Sequence, residues 1–285
     1  MYATVNFLIL RRFSTSILSM IRVRPPAVAG LFYPDDAEEL KQMVLGFLGS
    51  ARASAHPLPR GIIAPHAGYR YSGPIAASAY APFFGQDNGR YRRIVLLGPS
   101  HRVGFQGLAL PEARAFQTPL GVVQIDGPAA EELLKLPGVI ESDEAHAREH
   151  SLEVHLPFVQ LLFPGARIVP VLTGRPAPGQ VRQAIRTLLK DDGDLLVVSS
   201  DLSHYLSYEG AKARDRQTAS TIESLRSEAL SYEDACGRDA VVGLMDYMRE
   251  AGGMRLSEVD LRNSGDTSGD RSRVVGYGAF HAVRN

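Results

Sequence analysis

Three apolar runs in this chain end on residues that can bind a metal ion or move a proton. Ile62-Ile63-Ala64-Pro65 leads to His66, Leu96-Leu97-Gly98-Pro99-Ser100 to His101, and Val197-Val198-Ser199-Ser200 to Asp201, with His204 three residues on. Taken singly, each histidine reads as a core-satisfied or loop-capping side chain. Three runs with the same ending point instead to a shared site. Neutral imidazole is the commonest metal ligand, and a nearby carboxylate can ligate or orient it. Pro65 and Pro99 stiffen the approach, and Gly68 and Gly104 let the chain turn away afterwards.

Cys236 is the single cysteine. It precedes Gly237-Arg238 and an apolar helical stretch, Val241 to Met248. A helix start and an adjacent guanidinium favour thiolate, the form that binds metals or attacks electrophiles. A lone cysteine is equally a small inert hydrophobe, so both readings stand. Glu149 to His155 misses the H-x-x-E-H zinc pattern, because Val154 stands where the second histidine is needed. His150 and Glu153, three apart, would share a helix face and line the site behind the ligands. His56, His146 and His281 carry no pattern. Tyr69-Arg70-Tyr71 reads either as a pocket wall or as ordinary packing. No Walker loop, G-x-G-x-x-G after a strand, or G-x-S-x-G elbow is found.

The elements that must position these residues alternate. Pro34-Asp35-Asp36 opens a helix whose apolar stripe is Leu40, Met43, Val44, Phe47 and Leu48, ended by Gly49-Ser50. Strands are predicted at 61–64, 93–97, 167–172, 195–198 and 274–283. Helices are predicted at 74–80, 129–136, 151–163 and 181–189, and they dominate 208–250. A hairpin-like excursion falls at 107–126 and a polar loop at 263–272. Such alternation argues for βαβ units, so the fold class is α/β, with a largely parallel or mixed central sheet and helices on both faces. In such sheets ligands bind beyond the carboxyl ends of the strands, where all three runs stop.

The 285 residues are compatible with one large α/β domain over 23–285. Residues 1–22 lack any acid and carry Arg11, Arg12 and Arg22. That composition resembles a transit peptide, but an upstream-extended start with Met20 as natural initiator is the preferred reading. Lys plus Arg equals Asp plus Glu at 31 each, which argues against a nucleic-acid partner. No apolar run reaches the roughly 18–20 residues of a membrane span, so no membrane partner is expected. One thiol cannot form an internal disulfide, and the chain reads as cytoplasmic.

Five blocks in order resemble the Memo family: APHAGY (64–69), LGPSH (97–101), EHSLEVHLPF (149–158), VVSSDLSH (197–204) and CGR (236–238). The resemblance runs from about Arg24 to the C-terminus. It implies a fold related to the extradiol ring-cleaving dioxygenases that use non-haem iron. It also implies His66, His101 and Cys236 as metal ligands, Asp201 and His204 as catalytic groups beside them, and iron or copper as the metal. Animal relatives have been described as phosphotyrosine-peptide binders and as redox proteins, and bacterial relatives neighbour radical-SAM genes. One departure matters: the dioxygenases use two histidines and a carboxylate, whereas Cys236 stands at the third position. The leading expectation is therefore a metal-dependent redox or oxygenase-type enzyme on an unknown small molecule. The alternative is a non-catalytic module that binds a peptide or protein partner through an enzyme-like pocket. A third reading is a metal-free hydrolase with Cys236 as nucleophile and His204 as base.

Overall fold

Asp36 begins the first helix as its sequence predicts. In the computed structural model, whose described residues are 22–51 and 58–285, its carboxylate accepts from the Glu39 amide at 2.9 Å. The readings on residues 1–21, Met20 as initiator among them, lie outside the described residues, as does His56. Helix α1 (Ala37–Ser50) buries Leu40, Val44 and Leu48, a stripe with a spacing of four.

Four strands, β2 (Gly61–Ala64), β3 (Arg93–Pro99), β8 (Arg167–Thr173) and β9 (Asp194–Ser199), form the parallel heart of a mixed sheet in the order β2-β9-β3-β8. Every residue of β2 and β9 is buried, so both faces of the sheet are covered there. Antiparallel β12 (Val274–Arg284) borders β2, and antiparallel β4 (Leu108–Leu110) borders β8. The sheet is completed by β7 (Val139–Glu141) on β4, and by β10 (His204–Leu206) and β11 (Met254–Asn263) on β12. The excursion at 107–126 is only partly a hairpin. Strand β4 joins the main sheet, while β5 (Ala115–Thr118) and β6 (Gly121–Gln124) pair across a tight turn at Gly121 (φ 119°) and take β1 (Val23–Arg24) alongside.

The remaining helices are α2 (Tyr69–Tyr80), α3 (Gly127–Leu133), α4 (Asp143–Ala147), α5 (Leu156–Leu162), α6 (Gln180–Leu188), α7 (Tyr208–Glu223), α8 (Arg238–Ala251) and α9 (Ser264–Ser268). The helix predicted over 151–163 is regular only from Leu156. A 3-10 turn, Glu153–His155, precedes it, and Pro157 sits in its first turn, where its missing N–H is harmless. The polar stretch after Asn263 opens with a capping box rather than a plain loop: at the start of α9 the Asn263 side chain accepts from the Asp266 backbone, and the Asp266 carboxylate accepts from the Asn263 amide. Strand β11 escaped detection because a bulge between Glu258 and Asp260 shifts the register, putting Leu256 out of phase with Val259 and Leu261.

Candidate metal centre

Strand order assembles the site. Because β9 lies between β2 and β3, the three strand ends that deliver His66, Asp201 and His101 are neighbours; Ala64 pairs with Ser199 and Leu97 with Val198. Ligand nitrogens of His66, His101 and His150 lie within 4.8 Å of one another, an arrangement able to hold a metal ion. The rings of His101 and His150 are stacked, with centroids 4.8 Å apart, and His66 stands edge-on to both. His66 is buried at 2% exposure, whereas the His101 side chain keeps 30%, so the cluster runs from the interior to solvent. His204, exposed, sits at the outer margin.

His101 and His66 each have a hydrogen-bond partner at Nδ1. Glu149 Oε1 lies 2.9 Å from His101 Nδ1. The same carboxylate accepts from the amides of His101, His150 and Ser151. Burial alone would raise its pKa, but the His101 ring and these backbone donors outweigh burial and hold it at about 2. A carboxylate only accepts, so His101 Nδ1 carries a proton, and the neutral form of the ring has Nε2 bare. His66 Nδ1 meets Ser199 Oγ at 2.6 Å, and its amide donates to Asp201 Oδ1 at 2.7 Å. Burial, and then the neighbouring imidazoles, push His66 far below the ordinary histidine value, and burial takes His150 to about 4. Both are neutral at pH 7, as ligands must be. His150 Nδ1 is 3.2 Å from Glu149 Oε1 but has no hydrogen-bonded partner.

Cys236 arrives beside these groups at the start of α8. Its Sγ lies 3.2 Å from His66 Nε2 and accepts from the Asp201 amide at 3.2 Å. A Cβ on Gly237 would come within 2.3 Å of the Ser199 carbonyl, so only glycine lets this turn lie against the end of β9. The sulfur is outside the set of mutually close ligand atoms, which the three imidazoles make up. Burial, with the Asp201 carboxylate adding to it, pushes the Cys236 thiol well above its usual range. The thiolate expected from a helix start and Arg238 does not prevail against this burial, and the Arg238 guanidinium is engaged by the Leu230 carbonyl and Asp239. At hydrogen-bond distance from the thiol stands His66, not the His204 that a hydrolase reading would require. Asp201 is pushed up to about 7 by burial, against the pull of the His66 amide. It can therefore hold or release a proton near neutrality.

Glu153 turns out to serve the scaffold. It accepts from Arg24 (2.6 Å), Tyr33 (2.6 Å) and the amides of Ala27 and Val28, and no helical face joins it to His150. Arg24 also donates to the carbonyls of His146 and Glu149, so this buried pair pins the turn that presents Glu149 and His150. Sequence reasoning missed Glu149, Ser199 and His155. The adjacency of Glu149 to His150 and of Ser199 to Asp201 was the available signal. A hollow of about 550 Å³ between α1, α2 and β11 is lined by none of these histidines.

Fold and site together define an α/β protein with an imidazole cluster at the carboxyl ends of three adjacent parallel strands. The sequence profile described as "Memo-like protein" matches residues 24–281, and the chain belongs to the Memo family. It is 37% identical over 268 residues to a MEMO1 family protein of Aquifex aeolicus (strain VF5), covering 90% of this chain and 98% of that one. It is 40% identical over 279 residues to a MEMO1 family protein of Ignicoccus hospitalis, covering 90% and 97%. A solved structure, an uncharacterized protein of Escherichia coli K12, superposes with a TM-score of 0.46 at 12% identity over 78% of this chain and 99% of that one, too remote to bear on the fold. Among the described residues no helix is long and apolar enough to cross a membrane.

Proposed function

We propose that the protein is a metal-dependent redox enzyme that holds iron or copper and acts on a small molecule. The observation that carries this reading is the mutual approach of the His66, His101 and His150 ligand nitrogens to within 4.8 Å. Glu149, which can only accept, favours the His101 tautomer with a bare Nε2. Neutral imidazoles suit iron and copper, and a thiolate would add a softer donor. His66 and His101 would hold the ion with His150 as third ligand, and Cys236 stands ready beside His66 as a further one. When bound, such an ion would supply electron-transfer chemistry at this cluster.

The chain's own residues do the rest. Glu149 keeps the His101 ring aimed, the Asp201 carboxyl exchanges a proton near pH 7, and His204 offers a second proton-transfer group at the solvent margin. Exposure of His101 gives a small molecule access to the cluster.

Anaerobic loading with ferrous iron or cuprous copper followed by metal analysis tests the reading. About one ion per chain, abolished by His66→Ala, is expected. A stoichiometry near zero would sink it.

A further inference from the structure

We propose that Ser199 is a positioning residue that locks His66 in the Nδ1–H tautomer, with His155 and Tyr80 closing the proton count behind it. The inference rests on the metal reading above and assigns work to three residues which that reading leaves idle.

The assignment follows from counting hydrogens. Ser199 Oγ has one hydrogen and two lone pairs. It has three neighbours: the Ser151 carbonyl at 2.6 Å, His66 Nδ1 at 2.6 Å and His155 Nε2 at 2.9 Å. A carbonyl only accepts, so the hydroxyl hydrogen goes to Ser151. Both lone pairs then face ring nitrogens, and both nitrogens must donate. His66 is left with a bare Nε2, the atom that faces Cys236 and the imidazole cluster. His155 is left with a bare Nδ1, which Tyr80 Oη fills from 3.2 Å.

No member can readily turn. Tyr80 is stacked on Phe158 with centroids 4.9 Å apart and planes 6° from parallel. Ser199, His155, Tyr80 and His66 are all buried, at 2% exposure or less. If His66 carried its proton on Nε2 instead, Ser199 would have to donate to it and the buried Ser151 carbonyl would lose its partner, which is unfavourable for a buried acceptor. The network thus holds the metal-facing lone pair open before any ion arrives.

Two measurements on the full chain test this. Long-range proton–nitrogen NMR of histidine-labelled, metal-free protein is expected to show His66 protonated on Nδ1 and His155 on Nε2. Finding His66 protonated on Nε2 overturns the proposal even if Ser199 variants fail to fold. Ser199→Ala is expected to weaken ferrous-iron affinity about 10–100-fold in an anaerobic chelator competition, the usual cost of losing the partner behind a ligand. Wild-type affinity in a folded variant overturns it too. Absence of binding by the wild-type chain would instead remove the metal reading, and the NMR result would still judge the tautomer.

Discussion

His66 Nε2 faces Cys236 Sγ at 3.2 Å, so the sulfur stands beside the nitrogen on which a metal ion would sit. In the metal-free protein the thiol's raised pKa and partial burial make it a poor nucleophile. Iodoacetamide labelling at pH 8, followed by mass spectrometry, is expected to be far slower than for a small free thiol. Labelling as fast as the free thiol would show that thiolate is present after all.

Glu149 is the carboxylate that fixes His101. Glu149→Gln keeps the shape but brings a donor to a position where three amides and a ring nitrogen all donate. The expected result is a 10–100-fold loss in affinity for ferrous iron, measured by chelator competition, with lowered thermal stability. Unchanged affinity would mean that the His101 ring needs no such partner.

Arg24 and Glu153 form a buried pair 2.6 Å apart, their side chains 5% and 0% exposed. Removing one member leaves the other uncompensated, so Arg24→Met should cost about 3–5 kcal/mol in urea unfolding. Because Arg24 also donates to the Glu149 carbonyl at 2.6 Å, metal affinity should fall with it. A loss below 1 kcal/mol would contradict the clamp.

His146 offers a test by pH, away from the proposed ligands. Burial holds it at about 4, against the ordinary 6.5. The unfolded chain therefore takes up a proton between pH 6.5 and 4 that the folded chain refuses, and stability falls as pH falls through that window. Full development below pH 4 corresponds to about 3 kcal/mol. Asp201, raised to about 7 by burial, works in the opposite direction, so the informative quantity is the difference between proteins. His146→Gln, which can still donate to the Ala109 carbonyl that His146 Nε2 meets at 3.0 Å, should flatten the slope by up to one proton. An identical slope in urea midpoints across pH 4–6.5 would refute the assignment.

Much of this was legible in the chain itself. Short apolar runs ending at Pro65, Pro99 and Ser200 announced strands and marked His66, His101 and Asp201 as strand-end residues, because alternation and chain breakers are local signals. Motif order carried the family. Tertiary structure alone decided that β9 lies between β2 and β3, since strand order depends on contacts far apart in sequence. Tertiary structure also sent Glu153 to Arg24, gave His101 to Glu149, and set Ser199 between His66 and His155. A residue's type states what it can donate or accept. Which partner it meets, and therefore which nitrogen stays bare, is fixed only when residues 48 to 135 positions apart are packed within 3 Å.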